Sequence, residues 1–214
     1  MKNLRYTLIT DGSSDKAFVP ILNWILKEDL KIDCAIQDKW ADLRKLPYPP
    51  KAEDLAGRIT DAIDLYPCDL LFVHRDAEKE TREKRLQEIR QAIEKANIDN
   101  FPIVCVIPIR MLEAWLLFDE AAIRKAAGNP KGKCQIQLPA LNKVENLPDP
   151  KTILIEVLKR ASELKGKKLR KFNARERIHR LADIIDDFSY LDRLSAYRVL
   201  KKDLLETLEH QGWL

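Results

Sequence analysis

Asp69-Leu70-Leu71-Phe72-Val73-His74-Arg75-Asp76-Ala77-Glu78 joins an uninterrupted apolar run to a charged loop. A half-exposed strand alternates apolar and polar residues, and this run does not, so it is read as a strand covered on both faces by helices. Ile103-Val104-Cys105-Val106-Ile107 repeats the pattern and stops at Pro108. Nearer the N-terminus, Leu4, Tyr6, Leu8 and Ile9 lead into Asp11-Gly12-Ser13-Ser14-Asp15, a group of turn and helix-cap residues. A fourth, short strand is expected at residues 32–36. Between these runs the apolar spacing predicts helices: from Phe18 through Ile21, Leu22, Ile25 and Leu26; over 52–65, after Pro47, Pro49 and Pro50; over 78–97, on Leu86, Ile89, Ile93 and Ala96; and over 111–118. Strands alternating with helices give an α/β, Rossmann-like domain over 1–128, with a parallel sheet of about four strands and helices on both faces.

After Gly128 the pattern changes. Helices are expected near 151–164, 174–186 and 190–210 with no further strand, so residues 129–214 read as a helical extension packed on the domain. The 214 residues carry 38 Lys or Arg and 34 Asp or Glu, a net charge of +4, with 45% hydrophobic residues. These values exclude collagen-like, disulfide-framework and wholly disordered chains. Residues 1–110 hold 18 basic and 19 acidic groups, against 20 and 15 in residues 111–214. Between Arg124 and Arg180 the counts are 16 and 5. There is no apolar run long enough for a membrane span and no signal-peptide pattern at the N-terminus, so a cytoplasmic protein away from the membrane is expected. Cys34, Cys68, Cys105 and Cys134 lack C-x-x-C spacing and are read as reduced, buried thiols.

In open parallel sheets, ligands bind at the carboxyl ends of the strands. Here those ends are acidic: Asp11 and Asp15 follow the first strand, Asp76 and Glu78 the strand quoted above, and Glu113 the last. Carboxylates brought together repel one another unless a cation joins them, and oxygen donors suit a hard divalent ion such as Mg2+ or Mn2+. Singly, Asp11, Asp15 and Glu78 read first as helix-start residues favoured by the helix dipole; as a set at successive strand ends they read as a site. His74 is either a ligand and proton carrier or a hydrogen-bonded core residue. Arg75 and Arg110, at the same edge, either grip phosphate or pair with the acids. No P-loop, Gly-x-Gly-x-x-Gly or Ser-His-Asp order is present.

The order Asp11-Gly12-x-x-Asp15, then His74-Arg75-Asp76-Ala77-Glu78, resembles the TOPRIM fold of topoisomerases, primases and overcoming-lysogenization-defect nucleases. In that fold an acidic residue follows strand one and an Asp-x-Asp pair follows strand three. Residues 107–119, Ile-Pro-Ile-Arg-Met-Leu-Glu-Ala-Trp-Leu-Leu-Phe-Asp, are similar to a signature of an uncharacterised TOPRIM-like family, some of whose members are encoded beside ATPases in bacterial defence loci. The resemblance covers residues 4–120. Asp11 stands where many TOPRIM proteins carry Glu, and His74 where the first Asp of the pair sits, which leaves Asp76 and Glu78 as the pair.

What this implies is a magnesium-dependent nuclease acting on DNA or RNA, an antiviral effector with an ATPase partner. Asp11, Asp76 and Glu78 would be its principal ligands, Glu113 a further ligand or metal-linked base, and Asp15 an alternate ligand. Lys167, Lys168, Arg170, Lys171 and Arg175 are the expected backbone-gripping cations, since a basic surface binds phosphate polymers by counterion release. Phe172, within that run, is placed to stack on a base. The rival expectation is a catalytically weakened TOPRIM scaffold that binds nucleic acid or an ATPase. A third is a small-molecule phosphotransfer enzyme. Trp115, among Leu112, Leu116 and Leu117 at helical spacing, is read as core.

Overall fold

Four parallel strands form one sheet in the order β2-β1-β3-β4: β1 (Asn3–Ile9), β2 (Ala35–Trp40), β3 (Leu70–His74) and β4 (Ile103–Val106). The computed structural model describes residues 3–51 and 53–214. All five residues of β3 are buried, as the unbroken apolar run requires of a central strand with both faces covered. Alternate side chains go to opposite faces. Leu4, Tyr6, Leu8, Leu70, Phe72, Val104 and Val106 enter one core, with Phe18, Ile21 and Leu22 of α1 (Phe18–Trp24). Ile9, Leu71 and Val73 enter the other, with α2 (Leu55–Leu65) and α3 (Arg82–Ala96). The chain is therefore α/β and Rossmann-like, with helices on both faces.

Several boundaries differ from the sequence expectation. The strand expected at 32–36 lies at Ala35–Trp40 instead, in register with β1 from Asn3↔Ala35 to Leu8↔Trp40. As an edge strand with exposed Gln37, Asp38 and Lys39 it has no apolar signature, and pairing with β1 alone places it. Helix α2 starts at Leu55, where Asp54 accepts a hydrogen bond from the Gly57 N–H at 3.1 Å; the expected start at Ala52 lies outside the described residues. Helix α3 starts at Arg82 rather than 78, because Glu78 has a left-handed φ of 53° and Thr81 supplies the N-terminal cap. Residues 111–118 hold only a 3-10 turn, Leu112–Leu116; Asp119 then caps α4 (Glu120–Ala126) through the Ala122 N–H.

Beyond these lie α5 (Pro150–Ser162), α6 (Gly166–Arg170), α7 (Ala174–Ile184) and α8 (Ser195–His210). The last helix begins at 195 rather than 190, where the Glu145 carboxylate accepts from the N–H groups of Ser195 and Ala196, both at 3.0 Å. Tyr197, Leu200, Leu204 and Leu208 of α8 join the core of the first sheet face, so residues after 128 complete that layer. No disulfide joins the cysteines; Cys68 is buried and the other three are half-buried. Among the described residues no helix is long and apolar enough to cross a membrane.

Candidate functional site

Strand order reverses between β1 and β3, because the chain leaves β1 for β2 on one side and returns to β3 on the other. Such a switch point opens a crevice at the carboxyl ends of the strands. The turn after β1 brings Asp15 to it. The Gly12 N–H donates to Asp15 Oδ2 at 2.8 Å and the Ser14 hydroxyl to Oδ1 at 3.0 Å. A Cβ on Gly12 would sit 3.1 Å from Asp15 Oδ2, so this close turn selects glycine.

His74 ends β3 beneath that turn, buried to 1% exposure and with its ring centroid 4.6 Å from that of Phe18. Its Nε2 lies 3.1 Å from Asp76 Oδ1, and its Nδ1 3.7 Å from Asp15 Oδ2, too long for a hydrogen bond. Burial opposes the imidazolium, but Asp76 first, then Asp15 and Asp11, outweigh it and raise the pKa above the ordinary 6.5. Glu113 stands close by at 2% exposure, its Oε1 without a hydrogen-bond partner and Lys151 Nζ 3.5 Å away. Burial raises its pKa, Lys151 opposes this, and Asp76 and Asp15 add to the rise. Asp15, His74, Asp76 and Glu113 thus form one electrostatically coupled cluster.

The other expected ligands are ion-paired to arginines. Asp11 is held by Arg58 (Nη1–Oδ1 2.8 Å) and Arg75 (Nε–Oδ2 3.1 Å). Glu78 is exposed, with its carboxylate 3.7 Å from Arg85. Among the described residues no group of three or more His, Cys, Asp or Glu side chains is placed to hold a metal ion. Arg75 also reaches Glu88 at 3.4 Å, so it does pair with acids. Arg110, at φ 67°, and Glu78 clamp the loops after β4 and β3 together: the Glu78 N–H donates to Arg110 O at 3.0 Å, and Arg110 Nη1 to Glu78 O at 3.1 Å. Two left-handed residues are thus locked reciprocally at the strand edge.

Lys167, Lys168, Arg170, Lys171 and Arg175 are all exposed, and among the described residues no ion pair holds any of them. Phe172 is half-buried, with the Arg177 guanidinium 5.7 Å from its ring. Arg58 and Lys151 escape a reading by strand ends because they come from α2 and α5. Arg58 did leave a signal: it falls on the apolar stripe of α2, between Leu55, Ile59 and Ala62, and is 7% exposed.

The raised His74 pKa fixes the sign of a pH effect. Its contribution to stability is complete below pH 6.5, the ordinary value, and is lost as pH rises through the folded value. In chelator, the melting temperature is expected to fall on going from pH 6 upward, and His74→Gln should flatten that dependence. A wild-type profile as flat as that of the variant would show that folding does not raise the His74 pKa, and one that rises with pH would show that the folded protein buries a neutral imidazole.

A sequence model described as "Domain of unknown function (DUF4276)" matches residues 12–187. No curated protein and no solved structure matches the chain.

Proposed function

The chain belongs to the DUF4276 family, and from its own strand edge we propose that it is a TOPRIM-like, divalent-metal-dependent nuclease that hydrolyses phosphodiester bonds in DNA or RNA. One observation carries the reading: Asp15, Asp76 and Glu113 are coupled around His74 at the switch point, with a buried carboxylate oxygen of Glu113 that no hydrogen bond satisfies. Its counter-charge, Lys151 Nζ at 3.5 Å, is too far for a good hydrogen bond, so the oxygen keeps acceptor capacity for a further partner. The donor chemistry fits a hard cation, since these are oxygen ligands. As they stand, Asp15, Asp76 and Glu113 are not grouped closely enough to hold a metal ion, so they would have to draw together around Mg2+ or Mn2+, which when bound would supply charge neutralisation at phosphate and a more acidic water.

The protein's own groups account for the rest. His74 is the internal cation that keeps Asp15 and Asp76 together before any metal arrives. Arg75 and Arg110 hold their loops through Asp11, Glu88 and the Glu78 carbonyl, and they present positive charge at the edge where a phosphate would lie. The exposed lysines and arginines of α6 and its flanks grip the backbone of the polymer without reading its sequence.

A second reading, a catalytically weakened scaffold serving an ATPase, is favoured by one feature: Asp11 is already neutralised by Arg58 and Arg75. Purified protein with Mn2+ or Mg2+ is expected to nick supercoiled plasmid or degrade RNA, and Asp76→Asn to stop it. No cleavage of either polymer, together with no thermal shift on adding the metal, would overturn the nuclease in favour of the scaffold.

A further inference from the structure

Beside the switch point lies a cleft of about 660 Å³, walled by the 3-10 turn Ser14–Ala17, the end of β2 and α7. Its size is within the range of small-ligand sites. Trp40, Lys16, Arg44, Lys45 and His179 line it. The Lys16 ammonium and the Arg44 guanidinium lie 6.0 and 5.5 Å from the Trp40 ring centroid. A second hollow of about 310 Å³ shares Trp40, Asp42 and Arg44 with this cleft and continues to Asp11 and Arg75 at the strand edge. A hydrogen-bond chain ties the two regions: Trp40 Nε1 donates to Thr10 Oγ1 at 3.0 Å, and that hydroxyl donates to Gly12 O at 2.9 Å, in the turn that holds Asp15.

From this arrangement we infer that the Trp40 cleft binds one unpaired nucleotide of a nucleic-acid strand, its base against the indole and its phosphate on Lys16, Arg44 and Lys45. The inference rests on the nuclease reading and names its substrate: a single-stranded region rather than an intact duplex. Arg44 is fixed, because its Nε and Nη2 both reach Asp42 Oδ1 at 2.8 and 2.7 Å. Lys16 is exposed, and among the described residues no carboxylate pairs with it. It is therefore the cation a base can displace from the ring, and the displaced ammonium then meets the phosphate that arrives with the base. Base–aromatic stacking outweighs an exposed cation–π contact, so the exchange favours binding. A duplex keeps its base faces covered and cannot make it. His179 and Asp183 of α7 form the opposite wall, and Arg175 precedes His179 by one helical turn, so the basic extension leads into the same cleft.

The test is the affinity of a fluorescein-labelled 12-nucleotide oligothymidylate, or oligouridylate, measured by anisotropy in EDTA so that cleavage plays no part. Trp40→Ala should weaken binding about ten-fold or more, and Trp40→Phe should stay within about three-fold of the wild type. The Phe variant loses the bond to Thr10 but keeps a stacking face, so it separates stacking from a folding defect. Lys16→Ala should reduce the salt slope of log affinity by about 0.7, the loss of one phosphate contact on a single strand. Equal affinity of the wild type and Trp40→Ala, or equal affinity for the matching duplex, overturns the inference. Plasmid nicking without oligonucleotide binding would also overturn it while leaving the nuclease standing; binding at Trp40 without cleavage of any polymer would do the reverse.

Discussion

Trp115→Ala is expected to cost about 3–5 kcal/mol of folding stability, the largest loss for any single truncation discussed for this chain. The indole is fully buried and meets Phe18 edge-to-face at 5.6 Å and Tyr197 at 5.7 Å. It thereby joins the start of α1, the turn after β4 and α8 around one point. The cavity left by alanine cannot be filled by small movements, because the surrounding side chains come from three separate segments. At roughly 2–4 °C per kcal/mol for a chain of this size, the melting temperature should drop by about 10 °C. Trp115→Phe should recover much of this, and the lost indole N–H carries no penalty because it has no partner in the native state. A drop of less than about 3 °C in Trp115→Ala would mean that the three segments are not packed through this ring. The site should suffer with the core: Phe18 is the ring against which His74 rests.

The second large effect separates chemistry from folding. Glu113→Gln should lower metal-dependent cleavage by about 100-fold or more, the order that losing one preorganised charged group costs. It should leave the melting temperature unchanged or higher. Burial already resists the Glu113 carboxylate, Oε1 lacks a hydrogen bond, and Lys151 at 3.5 Å is its counter-charge. A neutral amide of the same shape removes a buried charge without opening a cavity. A purely structural Glu113 would behave in the opposite way, so a large fall in stability with cleavage intact would refute the role given to it. Measuring the thermal shift on adding Mn2+ to both proteins adds a readout that does not depend on substrate, with a smaller shift expected for the variant.

Both effects come from one short segment, Leu112–Leu116, at positions two apart. In sequence this segment falls within the helix expected over 111–118, with Trp115 read as core among Leu112, Leu116 and Leu117. Trp115 is indeed core, yet the segment is a 3-10 turn, and the carboxylate of Glu113 is nearly as buried as the indole. Periodicity located the apolar side chains but could not place a charged one among them. His74 is similar. Its position at the end of an apolar strand was plain, and both readings offered for it, ligand or hydrogen-bonded core residue, depended on what stood around it. Asp76 and Asp15 supply that answer from two different loops.

Of the five acidic residues picked out at strand ends, Asp15, Asp76 and Glu113 share a cluster; Asp11 acts on its His74 by charge but is ion-paired to two arginines, and Glu78 stays outside. The difference lies in arginines that a strand-by-strand reading leaves out. Arg58 reaches Asp11 from α2, and Arg85 approaches Glu78 from α3. Trp40 escaped notice for another reason. It ends an edge strand whose exposed Gln37, Asp38 and Lys39 carry no strand signature, so nothing local marked it as the floor of a cleft.

Local pattern was sufficient for the α/β class, the central strands and the acidic strand ends, because burial on both sheet faces and the crossover connections leave a periodic imprint along the chain. The edge strand, the start of α8, and the division of the acids into a coupled cluster and neutralised outliers came from contacts between residues far apart in sequence. Those contacts are hydrogen bonds and ion pairs to particular partners: β1 for β2, Glu145 for α8, Arg58 for Asp11. Such directional interactions act over a few ångströms in space and have no period along a chain, so only folding brings the partners together.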